Sequence, residues 1–152
     1  MKSCNFRLDS IFSYRDYLEK RAQIELFKAN QELLEKKDEI EQLHKKRFEI
    51  AKKCNSEESK GVEVHRYQMY KSFLKVIDLQ VANTLAEVKN AEESVRKKKG
   101  ILKKESIRKK TLQSLKDLQF EKYKMEYEKE EQKTIDELVL IRREIEYENA
   151  KP

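Results

Sequence analysis

Helix-breaking residues are nearly missing from this chain of 152 residues. It has two glycines, Gly61 and Gly100, and a single proline, the terminal Pro152. A chain without interior proline has nothing that removes a helical amide or clashes with the preceding turn. A compact fold with many tight turns is therefore excluded. Tryptophan is absent. No run of about 18 apolar residues exists, so no transmembrane helix is expected. No secretory apolar core follows Met1. These absences predict a soluble chain, with any membrane association going through a partner.

Cysteine is also scarce, with only Cys4 and Cys54. If the first arm is helical, they stand roughly 70 Å apart at 1.5 Å per residue, too far for a disulfide. Free thiols suit a reducing compartment. The two histidines, His44 and His65, belong to no Cys/His ligand pattern, and each reads as a surface helix residue. There is no phosphate-cradling glycine loop and no nucleophile beside a base. Carboxylates are plentiful, but two packed helices offer no concave pocket to desolvate them and tune their acidity. The expectation is a non-enzymatic chain with no cofactor and no metal.

What the chain does contain is charge. Charged residues make up 42% of it and hydrophobic residues 38%, with a net charge of +6. That mixture fits a coiled coil or long helix better than a globule. The positive excess concentrates in Arg96, Lys97, Lys98, Lys99, Lys103, Lys104, Arg108, Lys109 and Lys110, opposed only by Glu105. A solvated helix face and a docking surface for an acidic partner both remain open for this run. It holds no aromatic side chain, so the stacking platform of a single-strand binder is missing and no nucleic-acid partner is expected.

Apolar or small residues recur along the first arm at Ile11, Tyr14, Leu18, Ala22, Leu26, Ala29, Leu33, Ile40, Leu43, Ile50 and Cys54, with Lys36 and Arg47 in the gaps. Steps of three and four predict a left-handed coiled-coil seam. The successive fours from Tyr14 to Leu26 read as a stutter. Asp9 is the expected N-cap. Glu32 with Lys36 and Glu41 with Lys45 are expected helix-surface pairs. The cluster Asn55 to Gly61 reads as a helix stop. A second seam follows: Tyr67, Tyr70, Leu74, Ile77, Val81, Leu85, Val88, Val95 and Leu102.

These patterns predict an all-α fold, a long antiparallel two-helix coiled-coil hairpin forming a single domain over 1–152. The first helix spans about 9–55, the turn 56–62 and the second helix 63–148. A turn centred near residue 59 sets position i against roughly 118 minus i. Leu43 then meets Leu74, Ile40 meets Ile77, Ile11 meets Ile107, and Leu18 falls opposite Gly100, where a small residue permits close approach. The first arm is exhausted near residue 110. Beyond it the second helix overhangs, still carrying Leu112, Leu115, Leu118, Phe120, Tyr123, Met125, Tyr127, Ile135, Leu138, Ile141 and Ile145. Leaving so much apolar surface wet forgoes several kcal/mol at about 25 cal/mol per Å². The overhang is expected to dock on a partner or on its own copy.

Three stretches resemble the flagellar FliJ proteins of the type III export apparatus. The first is Phe6-Arg7-Leu8 with Ile11, Tyr14-Arg15, Leu18-Glu19, Ala22-Gln23 and Glu25-Leu26. The second is Gly61, Tyr67, Tyr70, Phe73-Leu74, Ile77 and Gln80. The third is Glu131-Gln132-Lys133-Thr134-Ile135-Asp136-Glu137-Leu138. They stand in the family's order and spacing, with Cys4 and Asn5 as a small departure in the leader. The resemblance implies a hairpin similar to a rotary-ATPase central stalk. It also implies three protein partners: the hexameric flagellar export ATPase, the cytosolic domain of the export gate, and export chaperones. The site would be cytoplasmic, at the cytosolic face of the inner membrane.

On that resemblance, Phe6, Leu8, Ile11, Tyr14, Glu131, Gln132, Lys133, Asp136, Glu137 and Leu138 are the candidate ATPase-facing residues. Leu43, Phe48, Tyr70, Phe73 and Ile77 are the candidate gate-facing patch, with Phe48 and Phe73 standing beside the seam rather than in it. Two alternatives are the equivalent stalk of a virulence-type secretion system and a generic structural coiled coil that dimerises through its overhang.

Overall fold

The computed structural model describes residues 7–151. Two helices account for nearly all of them, α1 (Asp9–Lys60) and α2 (Val64–Asn149), packed against each other as an all-α hairpin. No strand occurs among the described residues. The chain forms two compact units. One is 18–105, taking in the turn, and the other combines the first residues of α1 with the chain from 106 onward.

Within 18–105 the seam is continuous. Its buried residues are Ala22, Ala29 and Cys54 on α1, and Ile77, Thr84, Val88 and Val95 on α2. Ile77 is the most enclosed, at 1% exposure. From Tyr67 the shielded positions of α2 run Tyr70, Leu74, Ile77, Val81, Thr84, Val88, Ala91 and Val95. Steps of three and four alternate throughout, as a heptad requires. The seam passes through Thr84 and leaves Leu85 exposed, a correction to the apolar pattern. Thr84 is tolerated there because its hydroxyl donates to the Gln80 carbonyl, 2.9 Å away on its own helix. It enters the seam with its polar group already satisfied.

Ion pairs mark the register. Lys98 reaches Glu25 at 3.6 Å, Lys36 reaches Glu87 at 2.6 Å, and Arg47 donates to Asp78 at 2.6 Å. Position i therefore lies against about 124 minus i, some six positions from the expected register. Ala29 stands opposite Val95, Ile40 opposite Thr84, and Leu43 opposite Val81.

The cause is the turn. α1 does not stop near Asn55 but runs to Lys60, and only Gly61, Val62 and Glu63 connect the helices. Asn and Ser each cost a helix under about 0.7 kcal/mol relative to alanine, too little to end one that is packed. Here Cys54 is buried, Glu57 pairs with Arg66 at 3.2 Å, and the Ser59 hydroxyl donates to the Ser56 carbonyl at 2.8 Å. The stop is Gly61, whose φ of 82° is left-handed, the conformation glycine adopts without a Cβ penalty. Moving the turn centre by three residues moves every pair by six.

The other unit is built differently. None of its described residues is buried; Leu8, Phe12 and Leu112 are half-buried. Lys116 donates to Asp9 at 3.1 Å and lies over the Phe12 ring at 5.4 Å, while Lys109 pairs with Asp16 at 2.7 Å. Asp9 opens α1, but its carboxylate takes the cross-helix contact. The Leu8 carbonyl accepts the first helical bond, from Phe12 at 2.8 Å, so Leu8 holds the cap position. The seam enters through Leu8 and Phe12, whereas Ile11 and Tyr14 are exposed. Leu8, Phe12, Arg15, Glu19, Ala22 and Leu26 keep alternating steps of four and three, so the expected stutter is not needed.

Candidate partner-binding surfaces

Two sets of side chains were singled out by the sequence, and the structure treats them differently. In the set near the turn, Leu43 and Tyr70 are half-buried seam residues. Ile77 is wholly enclosed and cannot present its side chain to a partner, which corrects its place in an accessible patch. Phe48 stands 70% exposed. Phe73 is partly covered by the Lys46 ammonium, 5.4 Å from the ring centroid, a contact that needs no partner. The sequence reading missed the neighbours of Phe73. His65, Met69, Phe73 and Val76 line a shallow open groove on α2. Steps of four and three from Met69 through Phe73 to Val76 would have revealed this second stripe. It escaped notice because the stronger seam lies next to it.

In the second set, Phe6 lies outside the described residues. Leu8 is half-buried, while Ile11 and Tyr14 are exposed on α1. Glu131, Gln132, Lys133, Asp136, Glu137 and Leu138 are all exposed on α2. The two halves of this set are not brought together. Asp9 pairs with Lys116, and Glu131 lies fifteen residues further along α2, about 22 Å at 1.5 Å per residue.

From Lys124 to Lys151 every residue is exposed. The helix there is held by its own backbone and by local contacts. Lys124 pairs with Glu128 at 3.9 Å, Gln132 donates to Asp136 at 2.9 Å, and Arg142 pairs with Glu146 at 3.4 Å. Uncovered on this helix are Met125, Ile135, Leu138, Ile141 and Ile145. Leu138, Ile141 and Ile145 follow coiled-coil spacing. Glu130, Glu137 and Glu144 recur every seven residues along one flank of that stripe. An apolar stripe with that spacing and an acidic flank is the pattern one strand of a coiled coil carries, and the glutamates favour a basic flank opposite.

No group of three or more His, Cys, Asp or Glu among the described residues is placed to hold a metal. No described helix is long and apolar enough to cross a membrane. The perturbed acidities belong to surface ion pairs. The hydrogen bond from Arg47 holds the Asp78 carboxyl below its ordinary range, and the bond from Arg96 does the same for Glu93. Neither group stands in a cleft where such a shift would serve catalysis.

No curated protein and no solved structure matches the chain. The model of one family, described as flagellar FliJ protein, matches residues 4–144. That span includes both helices nearly to the end of α2 and all three motif stretches. The chain therefore belongs to the flagellar FliJ family, and with it to the proteins associated with flagellar export.

Proposed function

We propose that the chain is a non-enzymatic coupling stalk of flagellar protein export, linking the hexameric export ATPase to the cytosolic domain of the export gate and assisting export chaperones. It would work at the cytosolic face of the inner membrane. The observation that carries this reading is the stretch of α2 from Lys124 onward, which is exposed throughout its described residues and keeps an apolar stripe. A helix of that kind contributes binding energy in proportion to the apolar area a partner removes from water, about 25 cal/mol per Å². The hairpin supplies the stiff element, and the overhang with Leu138 supplies the ATPase contact. Phe48 with the groove of Met69, Phe73 and Val76 supplies the gate contact.

Pairing of the overhang with its own copy is disfavoured by its charges. In an antiparallel self-pair the column Glu130, Glu137 and Glu144 would face itself, and like charges across a coiled-coil flank repel. The decisive experiment is co-purification with the purified export ATPase and a measurement of its hydrolysis rate. The full chain should bind and change the rate, and a chain ending at Leu118 should do neither. Absence of binding by the full chain, with an unaltered rate, would sink the proposal.

A further inference from the structure

We infer that the face of α2 around Gly100 is a docking surface for an acidic helical protein. It is separate from the overhang and from the patch near the turn. The observation is a ring of charge about a notch. On a helix surface the nearest neighbours of a residue are those three and four positions away. For Gly100 these are Arg96, Lys97, Lys103 and Lys104, and all four are basic. The residue they surround has no side chain.

The hairpin does not account for this arrangement. A Cβ placed on Gly100 would meet no atom within 4 Å, so α1 does not need a glycine there, and the expected close approach of Leu18 is not what retains it. Glycine inside a helix costs about 1 kcal/mol relative to alanine, and nothing within the hairpin offsets that cost. Part of the charge is unspent as well. Elsewhere in 18–105 several cations pair with carboxylates: Lys36 with Glu87, Lys37 with Glu92, Lys45 with Glu41, and Arg47 with Asp78. Within the basic run itself Lys98 turns inward to Glu25 and Arg96 bonds Glu93 at 2.6 Å. Lys99, Lys103 and Lys104 have no carboxylate three or four positions away in either direction. Lys99 and Lys103 are instead a like-charge pair at i,i+4, which weakens a helix.

Together the notch and the charges define the partner's chemistry. Removal of the side chain lets another backbone approach α2 closely, which suits a packed helix. Lys103 and Lys104 beside it, with Lys99, suit carboxylates flanking the contact. Stacking on bases is not available, because no aromatic residue interrupts the run.

The test uses the full chain with a fluorescein-labelled helical peptide of alanine and glutamate, its glutamates spaced i,i+4 along the flanks of an alanine stripe. The parent should bind this probe at 0.15 M salt. The combined reversal Lys99→Glu, Lys103→Glu, Lys104→Glu should weaken binding by about tenfold or more, whereas Lys52→Glu with Lys53→Glu should change it little. Gly100→Leu is the sharper variant. It should raise the melting temperature, because leucine is a better helix former in open space, and yet weaken probe binding about fivefold or more by filling the notch. Three results overturn the inference: Gly100→Leu binding as well as the parent, a DNA duplex bound more tightly than the peptide, or a dimer in sedimentation that the triple reversal dissolves. The last would make the occupant a second copy of this chain.

Discussion

Residues 18–105 and the unit formed by 7–17 with 106–151 are made from the same two helices and a similar amino-acid mixture, yet they are held by different forces. The first has a seam of enclosed side chains centred on Ile77, Val88 and Val95. The second has no buried residue among those described and relies on Asp9 with Lys116, Asp16 with Lys109, and a half-covered Phe12. Apolar burial is non-directional and is not subject to charge screening, whereas exposed ion pairs are screened. The contrast teaches where stability and recognition have been divided. One part encloses a continuous seam while leaving side chains such as Phe48 and Met69 exposed; the other encloses none of its described side chains.

The largest way to break the comparison is to hollow the enclosed seam. Ile77→Ala should lower the unfolding free energy by about 2–3 kcal/mol, the low end for deleting a buried isoleucine, because two helices surround it less fully than a globular core would. Helix loss by circular dichroism in a urea titration measures this. An effect below about 1 kcal/mol would mean that the seam near the turn is no tighter than the other unit.

The turn gives the next effect. Gly61→Ala forces a Cβ into the left-handed region, costing about 1–2 kcal/mol. Since a Cβ there would meet no atom within 4 Å, the cost is backbone conformation alone. Gly61→Asn should therefore be milder than Gly61→Ala, because asparagine tolerates that conformation better. Equal losses from the two would point to a steric cause instead.

These two positions also show how far the sequence could be read. Two helices, their antiparallel course and the break at Gly61 were legible, because periodicity and a scarcity of breakers survive without tertiary information. The register was not. It depends on where α1 stops, and Asn55 to Lys60 carries the composition of a turn while folding as helix through the burial of Cys54 and the pairing of Glu57 with Arg66. Thr84 was passed over for Leu85 because apolarity was the criterion and a hydroxyl satisfied by its own helix is invisible to it. Phe12 was passed over for Ile11 because the stronger apolar spacing of Ile11, Tyr14 and Leu18 masked the true frame. Of the candidate surfaces, exposure at Phe48 and Leu138 was foreseeable from seam position. The enclosure of Ile77 also followed from seam position once the seam was separated from the resemblance.

A smaller effect comes from an ion pair that marks the register. The Asp78 carboxyl titrates below its ordinary value of 3.8 in the folded chain, held there by the hydrogen bond from Arg47. A carboxyl with a lowered folded pKa contributes stability above its unfolded value, and that contribution disappears as pH falls through the folded value. Stability should thus be level on this account from neutral pH to near 4 and decline below it. Arg47→Gln should remove part of the decline, and the difference between parent and variant should shrink in high salt. Urea midpoints between pH 7 and pH 2, at two salt concentrations, measure both. A difference that persists undiminished in high salt would mean that packing of the arginine stem, and not its charge, sets the contribution.

The smallest effect on stability is expected where the apolar loss looks greatest. Leu138→Ala with Ile141→Ala removes two large side chains, but neither touches another element of the fold, and both are more than half exposed. Nothing is uncovered by the deletion and no cavity forms, while alanine is the better helix former. The urea midpoint should therefore move by less than about 0.5 kcal/mol in equivalent free energy. Binding to the export ATPase should fall by about tenfold or more in the same variant if the stripe is a docking surface. That separation between an unmoved fold and a lost partner would distinguish the two units most sharply. A variant that lost stability and binding together would show that the stripe beyond Lys124 is covered by its own chain or its own copy in solution.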